Sequence, residues 1–497
     1  MTPGFPTDIL ADLFEQRAVE SATTGYLEDA RSDRVFDYAG FAVAVDAWSA
    51  VFAGLGIPSG GAVLVSHADP LSFAVVHLAA IAAGRRSIPL APDLASSELQ
   101  RISDLLGGAS LVVSDRGAVV DGAASAFVFE STGFPSDVRA GEAAPRSPGP
   151  THGGAAVLFT SGSTGEPKGV ELSERQLLFV AREIAGNNAL VAGDRGFNSL
   201  PLFHVNAEVV GLLSTLVAGA TLVLDASFHR TGFWELIAAR RITWLNAVPA
   251  MLAVLTRGGS SIPNAGLRFI RSASAPLPDA VRDALGDVPL VVSWGMTEGA
   301  SQITATPLGV TARPGSVGVP LGGEVAVRDE NGTTLAPGEV GALWVRGPGI
   351  VSSYLFGRAS DRFDSDGWLS TGDLGSVDSD GWVYLVGRSD DVINRGGEKV
   401  YPAELEEVLL GDARVLEAVV VGRPDDVLGH VPVAYVIAAP GSDSNDSLVD
   451  DLAERARVAL PRFKRPMQIT VVPDFPRAPT GKVQRARLRE LAAESMS

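Results

Sequence analysis

The chain has 497 residues, 46% of them apolar, and a formal net charge of −18 from 58 acidic and 40 basic side chains. That length exceeds a single hydrophobic core and predicts roughly two to four domains, while so acidic a chain lacks the broad basic surface that general nucleic-acid binding needs. The absence of cysteine excludes disulfides, thiolate catalysis and cysteine-held zinc or iron–sulfur sites, and it leaves the redox compartment open.

The first residues, "MTPGFPTDILADLFEQRAVE", show no basic segment followed by an apolar core, and the most apolar stretch, "FAVVHLAAIAAG", is too short to span a bilayer. A cytoplasmic protein without a membrane span is expected. From about residue 36 to 224, helix-like patterns such as "YAGFAVAVDAWSAVFAGL" alternate with short aliphatic runs, "GAVLVSH", "SLVVSD" and "ATLVLD", which is an α/β rhythm. A second set follows, with "ITWLNAVP", "LRFIRSAS" and "PLVVSWGMTE" separated by amphipathic "PAMLAVLTR" and "PDAVRDALG". Residues 317–388 change character: "EVAVRDENGTTL" carries an Asn-Gly hairpin signal, and "ALWVRG" and "WVYLVGR" alternate like strands. From about Asp390 the pattern restarts with a helix, "PAELEEVLLG", and two strands, "LEAVVVGRP" and "VPVAYVIA", with polar "PGSDSND" as a loop inside that unit.

Two "DSDG" tetrads, at residues 364–367 and 378–381, lack the remaining ligands of an EF-hand and predict tight turns. Between residues 455 and 489 basic side chains gather with Asp474 as the only acid, either a solvated face or an anion-binding surface. The stretch "LFTSGSTGEPKGV", residues 158–170, combines glycines, hydroxyls and a lysine, a composition suited to phosphate oxygens or to a flexible linker. It is not a Walker A loop, because Pro167 precedes Lys168 and Gly169 follows it.

Five islands, "TSGSTGEPKG", "SASAPLP", "WGMTEGA", "STGDL" with "GRSDDVINRGGEKVYPAELE", and "PTGKVQR", follow one another along nearly the whole chain. In that order they resemble the adenylate-forming superfamily of acyl-CoA synthetases, luciferase-like enzymes and peptide-synthetase adenylation domains. The expected architecture is α/β. A large N-terminal domain, residues 1–389, holds two α/β subdomains and a small β-barrel-like subdomain, and residues 390–497 form a small mobile α+β domain. The resemblance implies two half-reactions. A carboxylate attacks the α-phosphorus of MgATP, giving acyl-adenylate and pyrophosphate; the thiol of coenzyme A then displaces AMP. Positioning and charge neutralisation carry such a reaction, which suits a chain with no thiol of its own.

The roles follow residue by residue. Thr160, Ser161, Gly162, Ser163, Thr164, Gly165 and Lys168 match the loop that holds the β- and γ-phosphates. Thr297 matches the α-phosphate contact and Glu298 the Mg²⁺ ligand, a hard oxygen donor for a hard cation. Ser272, Ala273 and Ser274, with Trp294, Gly295 and Met296, surround the nucleotide, Trp294 standing where the family often has Tyr. Asp373 matches the acceptor for both ribose hydroxyls, Arg388 a second ribose or phosphate contact, and Asp390 the hinge, or else a turn cap. Lys482 matches the lysine that bridges the carboxylate and the α-phosphate. Rotation of the C-terminal domain would replace it with Gly396 and Gly397, Gly397 forming the pantetheine wall unless the pair is a simple turn. Lys399 is either a phosphate contact or a surface lysine.

In "NSLPLFHVNAEVVGLL", His204 resembles the pocket histidine that contacts the substrate carboxylate. No Asp stands there to bind an α-ammonium, which argues against an amino acid. Val205, Asn206, Glu208, Ala275 and Ser301 complete the expected acyl pocket, leaving aryl, medium-chain and polycyclic acids open. The expected partners are a small carboxylic acid, ATP with Mg²⁺, and coenzyme A. A second reading loads an acyl carrier protein; a third, a non-catalytic nucleotide-binding protein, is disfavoured because Lys168, Glu298, Asp373, Arg388 and Lys482 are all present.

Overall fold

The computed structural model describes residues 9–116, 118, 120–128, 135–139, 153–160, 168–256, 266–439, 446–477 and 483–494. Two large sheets form the N-terminal part. The nine-stranded sheet runs, edge to edge, through Val319–Pro320, Thr304–Ala305, Leu290–Trp294, Phe269–Ser272, Trp244–Ala247, Arg195–Asn198, Thr221–Leu224, Gly25–Asp29 and Val35–Asp37. Its central strands pair in parallel and only its edges are antiparallel. The seven-stranded sheet follows the same plan, in the order Pro135–Arg139, Ala124–Val128, Leu111–Ser114, Ala62–Ser66, Arg86–Leu90, Ala155–Thr160, Lys168–Ser173. Parallel strands covered on both faces must be apolar throughout, as the buried runs "AVLVS", "LVVS" and "TLVL" are.

Helices between the sheets share one core with both. The helix Pro70–Ala82 is buried from Leu71 to Ile81 and starts on Asp69, whose side chain accepts from Ser72 N, with proline in its first turn. Along the strands Trp244–Ala247 and Phe269–Ser272, Trp244 and Phe269 face this shared core, while Leu245 and Ile270 face a second core on the other side. This period of two places Asn246 and Arg271 on the shared-core side. The helix Glu174–Asn187 opens with a capping box between Ser173 and Gln176.

The expected barrel-like unit is a four-stranded antiparallel meander, Glu324–Arg328, Gly341–Arg346, Leu369–Val377 and Val383–Arg388. The Asn331-Gly332 signal falls in the turn joining its first two strands, where Arg328 bridges Thr334. Both DSDG tetrads are turns: Asp364 Oδ1 accepts from Asp366 N and Trp368 N, and Asp378 Oδ1 from Asp380 N and Trp382 N. A five-stranded sheet beyond Asp390, with helices Pro402–Leu410, Asp446–Ala459 and Arg485–Glu494, has a core on each face. Residues 440–445 of the expected "PGSDSND" loop lie outside the described residues. No helix among the described residues is long and apolar enough to cross a membrane.

Candidate active site

In open α/β sheets, ligand sites form at the carboxyl ends of the strands, and the islands "WGMTEGA" and "STGDL" meet at one such end. Trp294 closes the strand Leu290–Trp294 and is 7% exposed; it packs against the core of the four-stranded meander. Its indole Nε1 donates to Asp373 Oδ2 at 2.9 Å. Asp373 stands in register opposite Arg388, whose Nη1 donates to Asp373 Oδ1 at 3.0 Å. Burial pushes the Asp373 carboxyl above the usual aspartate range, against the opposing pull of Arg388 and Trp294. A Cβ on Gly295 would lie 1.8 Å from Ser301 O, so the turn after Trp294 admits only glycine.

Thr297 and Glu298 follow in a short 3₁₀ turn, Thr297–Gly299. Glu298 is 5% exposed, and its Oε1 accepts from the Tyr354 hydroxyl at 2.5 Å and from Arg362 Nη1 at 3.3 Å. Arg362 Nη1 also donates to the Tyr354 oxygen, and Arg362 Nε to Ser370 O at 2.9 Å. Burial and the adjacent Glu298 carboxylate push the Tyr354 hydroxyl well above the usual phenol range, so it remains a donor. Lys168 Nζ lies 5.6 Å from the centre of the Tyr354 ring. Tyr354 and Arg362 were missed in the sequence because neither sits in a recognised island. A signal was present in the backbone. Of seven non-glycine residues with φ > 0 among those described, Ser274, Ala300, Ser301, Phe356 and Ala359 flank this site, and such strain collects at functional sites.

Thr160 and Lys168 are register partners at the ends of two antiparallel strands. The glycine-rich stretch therefore connects strand to strand rather than strand to helix, as a Walker A loop would. Ser161, Gly162, Ser163, Thr164 and Gly165 lie outside the described residues, as does Lys482.

Of the residues expected around the acyl group and the adjoining nucleotide, His204 and Asn206 are partly exposed, Val205 is 9% exposed, and Ser274 and Ala275 are exposed; Ser272, Ala273 and Ser301 are buried. Asn206 begins a π-helical segment, Asn206–Leu213, a geometry frequent at functional sites. Asn206 Nδ2 donates to Ser274 Oγ at 3.3 Å. Glu208 corrects the sequence expectation. Its side chain is fully buried, 2.9 Å from His77 Nε2, and the other nitrogen of His77 meets Ser87 Oγ at 2.7 Å. The wider winding of the π segment sends Glu208 toward the Pro70–Ala82 helix, against His77. Arg271, with Asn246 and Gln302, was not singled out from the sequence, although an arginine inside the apolar strand "FIRS" is the signal that could have found it.

In the C-terminal unit, Gly396 and Gly397 form the two-residue turn of a hairpin in which Arg395 pairs with Glu398, with φ of 59° and 92°. A Cβ on Gly397 would meet no atom within 4 Å. Lys399 Nζ lies 3.1 Å from Glu330 Oε1, an exposed pair. The backbone oxygen of Asp390 accepts from Arg489, which also pairs with Asp391. Much of the basic run is used internally: Arg457 pairs with Glu454, Lys464 with Glu404, Arg477 with Glu417, Arg485 with Glu406 and Arg487 with Glu490. It is chiefly a paired face.

Comparison with known proteins agrees with this fold. The AMP-binding enzyme family model matches residues 14–355, and the AMP-binding enzyme C-terminal domain model matches residues 404–482. The sulfoacetate–CoA ligase of Cupriavidus necator is 37% identical over 356 residues, 70% of this chain and 69% of that one. The oxalate–CoA ligase of Arabidopsis thaliana is 35% identical over 343 residues, 67% of this chain and 66% of that one. The o-succinylbenzoate coenzyme A synthetase of Bacillus subtilis, solved with ATP and magnesium ion, superposes with a TM-score of 0.82 at 27% identity, covering 96% of this chain and 98% of that chain. With both halves of the chain matched by the family models, the chain belongs to the AMP-binding enzymes, the adenylate-forming superfamily of acid–thiol ligases.

Proposed function

We propose that the protein joins a carboxylic acid to coenzyme A in two steps at this site. In the first, a carboxylate oxygen bonds to the α-phosphorus of ATP as the bond to the β-phosphate oxygen breaks, giving acyl-adenylate and pyrophosphate. In the second, the thiol sulfur of coenzyme A bonds to the acyl carbon, AMP leaves and the thiol proton is released. The observation that carries this reading is the meeting of Trp294, Asp373 and Arg388 with the Thr297–Glu298 turn at one strand end.

Asp373, acceptor-only when ionised, takes the ribose hydroxyls, and Arg388 turns from it to the nucleotide. Lys168 and the preceding loop hold the outer phosphates, Thr297 the α-phosphate. Glu298 is a buried carboxylate whose present partners are one hydroxyl and one guanidinium, an oxygen site that fits Mg²⁺ bound through a single protein ligand. The ion supplies charge neutralisation on the phosphate oxygens. Lys482 neutralises the charge between carboxylate and α-phosphate, and His204 orients the acid. The division at 389/390, with Asp390 as hinge, lets the C-terminal domain exchange Lys482 for the Gly396–Gly397 turn, whose open side leaves room for a thin pantetheine arm.

Coenzyme A rather than a carrier protein is the acceptor we favour, because the similar proteins are named CoA ligases. ATP and coenzyme A as substrates fit a cytoplasmic enzyme. The relatives' acids, sulfoacetate, oxalate and o-succinylbenzoate, differ widely in size and share a second anionic group.

The test is a product scan with purified protein, MgATP, coenzyme A and a pool of carboxylic acids, following acyl-CoA by mass spectrometry and pyrophosphate in parallel. Acyl-CoA with equimolar pyrophosphate is expected. Pyrophosphate and acyl-AMP without acyl-CoA would move the acceptor to a carrier protein.

A further inference from the structure

Arg271 is a positive charge beneath the acyl side of the site, and transfer of an adenylyl group to a carboxylate does not itself require it. Three neighbouring parallel strands place Asn198, Asn246 and Arg271 in one register row. Arg271 is 1% exposed. Its Nη1 donates to Asn206 Oδ1 at 2.8 Å and to Asn246 Oδ1 at 3.2 Å, and its Nη2 to Gln302 Oε1 at 3.2 Å. All three acceptors are neutral amides.

Among the described residues no carboxylate pairs with Arg271, and two donors in this cluster, Arg271 Nε and Gln302 Nε2, are buried without a hydrogen-bond partner. Other partly buried arginines of the same sheet behave differently: Arg195 pairs with Glu28 and Arg268 with Asp194. A buried cation without an anion is costly. Burial holds the Arg271 guanidinium down to about 9, so it stays protonated at neutral pH. Asn206 carries the cluster outward. Its oxygen is held from inside by Arg271 and by Asn246 Nδ2 at 3.1 Å, which turns its Nδ2 toward Ser274 on the exposed loop.

Resting on the reading of the chain as a carboxylate-activating ligase, the geometry points to Arg271, with Asn206 and Gln302, as the receptor for a second anionic group on the acid. That group is a carboxylate or sulfonate remote from the carboxyl that is adenylated. Its oxygens accept from the unpartnered donors and neutralise the guanidinium. An acid of equal shape without that charge leaves the donors unpaired, and sites built on such donors reject the analogue that lacks the acceptor.

The experiment uses the wild-type enzyme and acid pairs in which a methyl group replaces one anionic oxygen: succinate against 4-oxopentanoate, sulfoacetate against methylsulfonylacetate, phthalate against 2-acetylbenzoate. Turnover to acyl-CoA and calorimetric binding in the presence of a non-hydrolysable ATP analogue are measured for each. The dianion of at least one pair is expected to win by more than about tenfold in both kcat/KM and Kd. In Arg271→Gln that ratio collapses toward one, and Arg271→Lys recovers part of it. Because a buried variant can fail to fold, the wild-type comparison stands alone. Monoanions turned over as well as or better than their partners would overturn the inference and leave the ligase reading intact. Should no acid yield pyrophosphate or acyl-CoA, the ligase reading fails, and the binding ratio still decides the role of Arg271: no dianion preference, or no binding, overturns it.

Discussion

The indole of Trp294 holds the Asp373 carboxylate at 2.9 Å, tying the nine-stranded sheet to the four-stranded meander through the group we assign to the ribose. The same carboxylate also accepts from Arg388 across the strand pair. Trp294→Phe keeps an aromatic body in the core and removes one charged-acceptor hydrogen bond. The expected cost is about 1.5 kcal/mol, roughly tenfold weaker AMP binding, read by calorimetry. Unchanged AMP affinity would mean that Asp373 is positioned by Arg388 alone.

The elevated pKa of Asp373 sets a direction for pH. Its chief cause is burial, so the folded protein holds this proton more tightly than the unfolded chain. Asp373 therefore subtracts stability above its folded pKa, a penalty relieved as pH falls through that value toward the ordinary aspartate range. Nucleotide binding runs the other way, since protonation turns one acceptor oxygen into a donor. AMP affinity should fall with acidification while the pH is still above the ordinary aspartate range, and Asp373→Asn should bind weakly with that acid limb flattened. An identical limb in the variant would assign it to another group.

The repeating parts of the fold were legible in the sequence. The runs "AVLVS" and "TLVL" and the helix Tyr38–Gly54 stand where their periods place them, because burial on both sheet faces leaves little freedom of composition. The islands pointed to Trp294, Glu298, Asp373 and Arg388 through their resemblance to family motifs, and the structure puts Trp294, Asp373 and Arg388 on strands and Glu298 in the 3₁₀ turn that follows Trp294. What failed to show was partnership across the sequence. Glu208 looked like a pocket wall beside Asn206 until the π-helical winding turned it to His77, 131 positions earlier in the chain. Tyr354 and Arg362 meet Glu298 only through a loop whose positive-φ residues no periodicity announces.

Glu208 provides a test of that correction. Removing one partner of a buried charged or hydrogen-bonded pair leaves the other without solvent. Glu208→Ala is expected to destabilise the protein by about 3 kcal/mol, seen as a lower urea midpoint, with acid selectivity unchanged in the fraction that remains folded. A variant of normal stability and altered acid preference would return Glu208 to the pocket.

Glu298 gives a prediction about metal. In the free protein Arg362 and Tyr354 hold its carboxylate, and a divalent cation bound there as proposed would have to compete with the guanidinium for the same oxygen. Arg362→Gln is expected to tighten Mn²⁺ binding, used as a spectroscopic stand-in for Mg²⁺ with an ATP analogue present, by roughly threefold to tenfold. Thermal stability should drop in the same variant, because a buried carboxylate loses a donor. Weaker Mn²⁺ binding would instead make Arg362 a helper that holds the carboxylate toward the ion.

The role proposed for Lys482 separates the two half-reactions. A mobile ammonium between two anions stabilises charge only while the carboxylate approaches the α-phosphorus; once acyl-adenylate exists, that approach is over. Lys482→Ala should therefore lose about 3–4 kcal/mol of transition-state stabilisation in adenylation, a hundred- to thousandfold in rate. Thioester formation from supplied acyl-adenylate and coenzyme A should stay within a few-fold of wild type. Both steps are measured on one preparation, the first by pyrophosphate release and the second by single-turnover quench. An equal loss in both would place Lys482 in a role common to the two conformations, and the exchange of the lysine for the Gly396–Gly397 turn would have to be abandoned.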